Sequence, residues 1–151
     1  MSSEQKCVTV STEAPSSWLQ YGSIAAATGY IMLLGPYKSI LNKKRANQSY
    51  TLQRFRMWGT ITCTALGEHW LIPFNVNSVE VYYLGRGGNE IKIAEASCNS
   101  RTCTAQIDNY LDVDTEFRGL GIQALKVIAK LNWQFNVRID ANICMELTWV
   151  G

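Results

Sequence analysis

Alternation is the dominant pattern along this chain. Val79, Val81 and Tyr83 alternate with Ser78, Glu80 and Tyr82, and Ile91 and Ile93 alternate with Glu90, Lys92 and Ala94. Near the C-terminus Ala141, Ile143, Met145, Leu147 and Trp149 alternate with Asn142, Cys144, Glu146 and Thr148. Side chains of an extended chain point to opposite faces with a period of two, so each run predicts a strand with one buried and one wetter face. A longer run over residues 51–64 puts Gln53, Phe55, Met57, Gly59, Ile61 and Cys63 on one face. Its other face carries Leu52, Arg54, Arg56, Trp58, Thr60, Thr62 and Thr64, polar enough to meet solvent, nucleic acid or a neighbouring subunit.

Residues 17–25 and 30–34 predict two further strands. The second is apolar throughout, hence buried on both sides or held at an interface. Residues 102–107 predict a short seventh. One segment departs from this period. Ile122, Leu125, Ile128, Ala129 and Leu131 recur at three- and four-residue spacings, which predicts one short helix or irregular turn over 120–131, and residues 132–138 then alternate as an eighth strand. Gly35-Pro36, residues 43–47, Gly67, residues 85–89 and Asn99-Ser100 supply turns between the runs. Seven to eight short strands with modest connections make an all-β chain, an antiparallel sandwich or barrel.

The 151 residues suit one domain, and 47% hydrophobic residues suffice for a sizeable core. Charged residues are only 17%, against roughly 25% in an average globular chain, so Ser, Thr, Asn and Gln or other subunits must cover the surface. Net charge is +2 with no long run of one sign, which excludes extensive disorder. No apolar run approaches the ~18 residues of a membrane span, and the first seven residues lack the basic and apolar regions of a cleaved signal. Five cysteines, an odd number in a chain able to bury its own core, favour free thiols in a reducing compartment, with a Cys98–Cys103 bridge as the one open pairing.

Enzyme signatures are missing. His69 is the only histidine, no local motif joins it to a nucleophile, and it reads as a loop residue beside Trp70. Gly85-Arg-Gly-Gly88 lacks the Lys-Ser/Thr of a phosphate-binding loop and reads as a hairpin turn. Cys98 and Cys103 do not have zinc spacing. Two charge features carry more. Lys38, Lys43, Lys44, Arg45, Arg54 and Arg56 are six of the 14 basic residues, and such a concentration suits a polyanion, although a solvated loop with two surface arginines is an even alternative. Asp108, Asp112, Asp114 and Glu116 are four carboxylates with no basic residue between 102 and 117, and the last three alternate, so an extended chain presents Asp112, Asp114 and Glu116 on one side. There they could hold Ca²⁺, meet arginines of another subunit, or stay solvated.

Taken in order, these features resemble the coat proteins of small satellite RNA viruses such as satellite tobacco mosaic virus. The likeness runs from Trp18 to the C-terminus. It rests on that tryptophan, the apolar strand at 30–34, and the long strand Gln53-Arg-Phe-Arg-Met-Trp-Gly-Thr-Ile-Thr62. After these come the run at 79–84, the Gly-rich turn, residues 90–96 with Ser97-Cys-Asn-Ser-Arg101, and the closing strand at 143–150. The resemblance implies a single eight-stranded jelly roll over 17–151 behind an N-terminal arm over 1–16. It implies a virion protein, assembled in the host cytoplasm, with no catalysis, membrane or small-molecule substrate. Its partners would be about sixty or more copies of itself and an enclosed RNA. RNA contacts would fall to Lys43, Lys44, Arg45, Arg54 and Arg56. That family usually has an Arg/Lys-rich arm, whereas residues 1–16 hold one basic residue, Lys6, against Glu4 and Glu13. The competing expectation is a lectin-like β-sandwich module for a carbohydrate or protein, stacking on Trp58, Trp70 or Tyr82.

Overall fold

The computed structural model describes residues 2–33, 35–40, 52–85, 90–111 and 123–150. Nine strands form among them. They are β1 (Ser2–Ala14), β2 (Ser16–Gln20), β3 (Ile24–Met32), β4 (Leu52–Ala65), β5 (Val76–Leu84), β6 (Glu90–Ser100), β7 (Thr102–Leu111), β8 (Ala124–Leu131) and β9 (Val137–Val150). The strands form two antiparallel sheets, one ordered β1-β9-β4-β7 and the other β2-β3-β8-β5-β6. Only the β2–β3 and β5–β6 hairpins stay within one sheet. From β3 to β4, β4 to β5, β6 to β7, β7 to β8 and β8 to β9 the chain crosses to the other layer each time. This is the order of a jelly roll, with β2 added at one edge, and it is the all-β sandwich that the alternation predicts.

The core lies between the layers, where alternate positions turn inward. Phe55, Met57, Ile61 and Cys63 of β4 and Ile139, Ala141, Ile143, Met145 and Leu147 of β9 are buried against Ala25, Ala27 and Ile31 of β3 and Leu125, Val127, Ala129 and Leu131 of β8. Tyr37, in the turn that follows β3, plugs one side of this core. Its hydroxyl donates to the Ile143 carbonyl at 2.5 Å, and burial pushes its pKa up to about 12.

Four sequence expectations are corrected. Residues 124–131 form strand β8, not the short helix placed over 120–131. Leu125, Val127, Ala129 and Leu131 alternate into the core, and Ile128 is an outward residue that imitated a helical spacing. The strand expected over 132–138 is largely a turn, with only Val137 and Arg138 belonging to β9. Its aromatics cap the sandwich end, where Phe135 stacks on Phe74 at 4.4 Å and Trp133 meets Trp18 edge-on at 5.2 Å. The strand expected over 17–25 is broken by a turn at Tyr21-Gly22-Ser23 into the hairpin β2–β3. For the apolar run from Tyr30, burial on both sides fails and the interface alternative stands. Ile31 and Leu33 face the core while Tyr30 and Met32 are exposed. Residues 2–14, within the segment assigned to an arm, pair along β9 as an edge strand.

The cysteines are also corrected. Cys7 of β1 is bonded to the directly opposite Cys144 of β9, and Cys98 is bonded to Cys103 across the tight β6–β7 turn. The β1–β9 register sets the first pair opposite each other, a proximity that a sequence separation of 137 does not reveal, while the second closes the short link between the two sheets, the pairing the sequence left open. Cys63 alone is free, and it is buried. Thiol titration of the unreduced protein in denaturant is therefore expected to find one reactive group, and reduction beforehand is expected to raise the count to five, the number of cysteines. Five reactive groups without reduction would return all the cysteines to the thiol state.

Candidate nucleic-acid interface

The outward face of the four-stranded sheet is a grid whose rows are set by strand register. One row reads Gln5, Glu146, Arg56, Tyr110, and the next Cys7, Cys144, Trp58, Asp108. Then come Thr9, Asn142, Thr60, Gln106, followed by Ser11, Asp140, Thr62, Thr104, and last Glu13, Arg138, Thr64, Thr102. No aliphatic side chain of Leu, Ile, Val or Met occurs in these rows. The inward positions of the same strands hold the core, so the alternation of one set fixes the polarity of the other.

Side chains along the lower rows are tied across strands. Thr9 donates to Asn142 Oδ1 at 2.7 Å, Ser11 to Asp140 Oδ1 at 2.6 Å, and the Thr62 and Thr104 hydroxyls share a hydrogen bond of 2.9 Å. Arg138 Nε reaches Asp140 Oδ2 at 3.0 Å. The Ser11 hydroxyl, and then Arg138, hold the Asp140 carboxyl below its ordinary range. The upper rows are different in kind. Arg56 grips Asp108 with two bonds, Nε to Oδ1 at 2.9 Å and Nη2 to Oδ2 at 3.2 Å, and its guanidinium lies 4.7 Å from the Trp58 ring centroid. That hydrogen bonding holds Asp108 below the usual carboxylate range and raises Arg56 still further. Arg54 is exposed, with its guanidinium 5.1 Å from the centroid of the Tyr110 ring, and Arg56 approaches the same ring at 5.9 Å. Cation–ring contact at these distances is favourable, and it sets charged groups around an open aromatic plane.

Arg54 and Arg56 thus share the outward face, and Phe55, Met57 and Ile61 share the core, as residue parity requires. Lys43, Lys44, Arg45, Asp112, Asp114 and Glu116 lie outside the described residues. Among the described residues, no group of three His, Cys, Asp or Glu side chains could hold a metal ion. No helix among them is long and apolar enough to cross a membrane. His69 sits in the β4–β5 loop, its Nδ1 accepting from the Leu71 amide at 3.1 Å and its ring near Trp70 and Trp133. Tyr110 was not singled out in the sequence, and Asp108 stood there only as the first of the four carboxylates that run on to Glu116. Continuing the alternation of 102–107 through Tyr110 would have put them on one face, but pairing with β4 is a long-range fact.

Among the described residues, large apolar side chains are also exposed at the sandwich end, on the outer face of β3 and at Ile91 of β6. At the end of the sandwich, Leu19, Tyr21, Trp70 and Leu71 surround the Trp18–Trp133 contact, with Tyr21 and Trp70 88% and 87% exposed. On the outer face of β3, Tyr30 and Met32 are exposed at one end, and Ile24 at the other lies opposite Gln20, beside the end patch. The neighbouring β8 and β5 are covered by ion pairs instead, Lys126 with Glu90 and Lys130 with Glu80.

No family model matches the chain, and no curated protein matches it. Among solved structures, it is similar to a chain of the virus-like particle of the giant freshwater prawn Macrobrachium rosenbergii extra small virus. That match has 11% identity and a TM-score of 0.34, over 94% of this chain and 79% of the other. It is also similar to chains from infectious bursal disease virus. For the Gx strain identity is 10% and TM-score 0.44, over 100% of this chain and 34% of the other. For the Gt strain they are 8% and 0.37, over 97% and 32%. The chain therefore spans about a third of the bursal disease virus chains. With every TM-score below 0.5, none of these likenesses bears on what the chain does.

Proposed function

We propose that this chain is a non-enzymatic coat protein that closes into a small icosahedral shell around RNA, and that its place is the virion, assembled in the host cytoplasm. The observation that carries the reading is the spread of exposed apolar side chains, from the sandwich end with Leu19, Tyr21, Ile24, Trp70 and Leu71 to Tyr30 and Met32 at the far end of β3. A binding module needs exposure at one site, whereas a subunit of a closed shell must meet several neighbours through different parts of its surface. The exposed tryptophan and tyrosines are suited to anchor those contacts, because large rings bury much area for little lost freedom. The polar four-stranded face, with its hydroxyls and the outward Arg54 and Arg56, is left for the RNA. The detailed likeness to satellite-virus coats belongs to this proposal, as do phosphate contacts by Lys43, Lys44 and Arg45. So does a subunit boundary at Asp112, Asp114 and Glu116, where Ca²⁺ or a neighbour's arginine would relieve carboxylate repulsion.

Gel filtration with negative-stain microscopy tests it. Closed particles of about 1 MDa are expected for about sixty copies of a 16.9 kDa chain, stable to moderate salt because apolar contact drives their assembly. Trp70→Ser with Tyr30→Ser is expected to leave the strand signal in circular dichroism unchanged and to shift the protein to small species. A wild-type protein that elutes as a monomer would refute the shell and favour a sandwich module stacking a ligand on Trp58, Trp70 or Tyr82.

A further inference from the structure

The upper corner of the four-stranded face combines three features that do not meet elsewhere among the described residues. Tyr110 is 60% exposed, yet it sits under two guanidinium groups, Arg54 at 5.1 Å and Arg56 at 5.9 Å from its centroid. Arg56 is fixed between Asp108 and the Trp58 ring, so it acts as a wall of the site with its charge largely answered by Asp108. Arg54 stands on the exposed side of the same strand face, two residues along, where it can meet an anion. Below the corner, Thr60, Gln106, Asn142, Thr62 and Thr104 form a floor of uncharged hydrogen-bonding groups, with the Asp140 carboxylate beside them held by Ser11 and Arg138.

An exposed ring partly overlaid by cations, and hydroxyl groups below it, answer the three parts of an unpaired nucleotide, which are base, phosphate and sugar. A duplex keeps its base faces stacked internally and offers Tyr110 nothing to stack on. Resting on the RNA-enclosing reading above, we propose that Tyr110 is a stacking platform for an unpaired base of single-stranded RNA, with Arg54 on the adjoining phosphate and Asp108 positioning Arg56 beside them. Recognition of this kind is independent of base identity, because every base has a face to stack.

The test uses the full chain in the assembly state in which it purifies. Anisotropy is measured with a labelled ten-nucleotide oligoadenylate, an RNA hairpin duplex and inorganic polyphosphate, and gel filtration is run on every variant. Tyr110→Ala is expected to weaken oligoadenylate about tenfold, Tyr110→Phe to stay within about twofold of wild type, and neither to change polyphosphate binding. Arg54→Gln is expected to weaken both ligands and to lower the salt slope by about one phosphate contact. Wild type is expected to prefer the oligoadenylate to the hairpin. Equal loss on oligoadenylate and polyphosphate in Tyr110→Ala, or no loss on either, would overturn the platform. Unchanged affinity with an altered elution volume would overturn it too and assign the corner to a subunit contact. A monomeric wild type that still shows the Tyr110 effect would separate failure of the shell reading from failure of this one.

Discussion

Replacing Gly59 with alanine is expected to cost the sandwich about 3–5 kcal/mol, a large part of the ~5–15 kcal/mol that holds a typical domain. Gly59 lies mid-way along β4, the strand flanked by both β9 and β7, and its φ is +141°, a conformation that L side chains rarely adopt. A Cβ built there would fall 1.9 Å from the Asn142 carbonyl oxygen and 3.0 Å from the Ile143 Cα. Both obstacles are backbone of β9, so no rotamer change can clear them, and relief requires breaking the pairing of the two longest strands. Gly29 provides the internal comparison. A Cβ there meets the flexible end of Ile139, Cδ1 at 2.5 Å, and its φ is not in the left-handed range. Gly29→Ala is therefore expected to be milder, about 1–3 kcal/mol. Urea unfolding of both variants gives the order, and a Gly59→Ala protein as stable as Gly29→Ala would show that β4 accommodates a side chain without strain.

Stability is expected to fall steeply between pH 9 and 12, by on the order of 5 kcal/mol. Burial, and then the charge of Asp140, push the Cys63 thiol from 9.0 up to about 12, and burial pushes Tyr37 from 10.0 up to about 12. Burial also raises Tyr83. In the unfolded chain these groups release protons from about pH 9 upward while the folded protein keeps them. The unfolded state then binds fewer protons, and stability, complete below pH 9, drains away as pH climbs toward 12. Cys63→Ala should move the onset from near pH 9 to near pH 10, where the tyrosines begin. Denaturant midpoints measured from pH 7 to 12 without reductant decide it, and a level profile up to pH 11 would show that these side chains meet solvent in the native state.

What the sequence revealed was whatever period two makes visible. Strands β4, β5 and β9 have inward sets of Val, Ile, Tyr, Phe and Met against mostly polar outward sets, so both element and orientation could be read, whereas in β6 a register shift against β5 leaves Ile91 exposed and turns Ala94, Ala96 and Cys98 toward the core. Strand β8 was hidden because its outward position 128 is isoleucine, which made a two-residue period look like a three- or four-residue one. Strand β1 was hidden for the opposite reason. As an edge strand it gives the core little beyond Val8, Val10 and Ala14, and its other positions are polar. The outward direction of Arg54 and Arg56 followed from parity, but their companions did not. Asp108 and Tyr110 reach them only through the β4–β7 register, over more than fifty residues of chain, and nothing local encodes that pairing. The same holds for Cys7 and Cys144.

The Cys7–Cys144 bond has a mechanical meaning for the edge of the four-stranded sheet. It joins β1 to β9 near the midpoint of their pairing, with Ser2–Lys6 on one side and Val8–Ala14 on the other. Peeling that begins at the first residues can open no further than the clasp, so hydrogen-bond pairs beyond it exchange with solvent only when the whole sheet opens. The first five residues of the strand thus lie on the open side of a riveted seam. They can lift to make room for a neighbouring molecule while the rest of β1 stays in the wall.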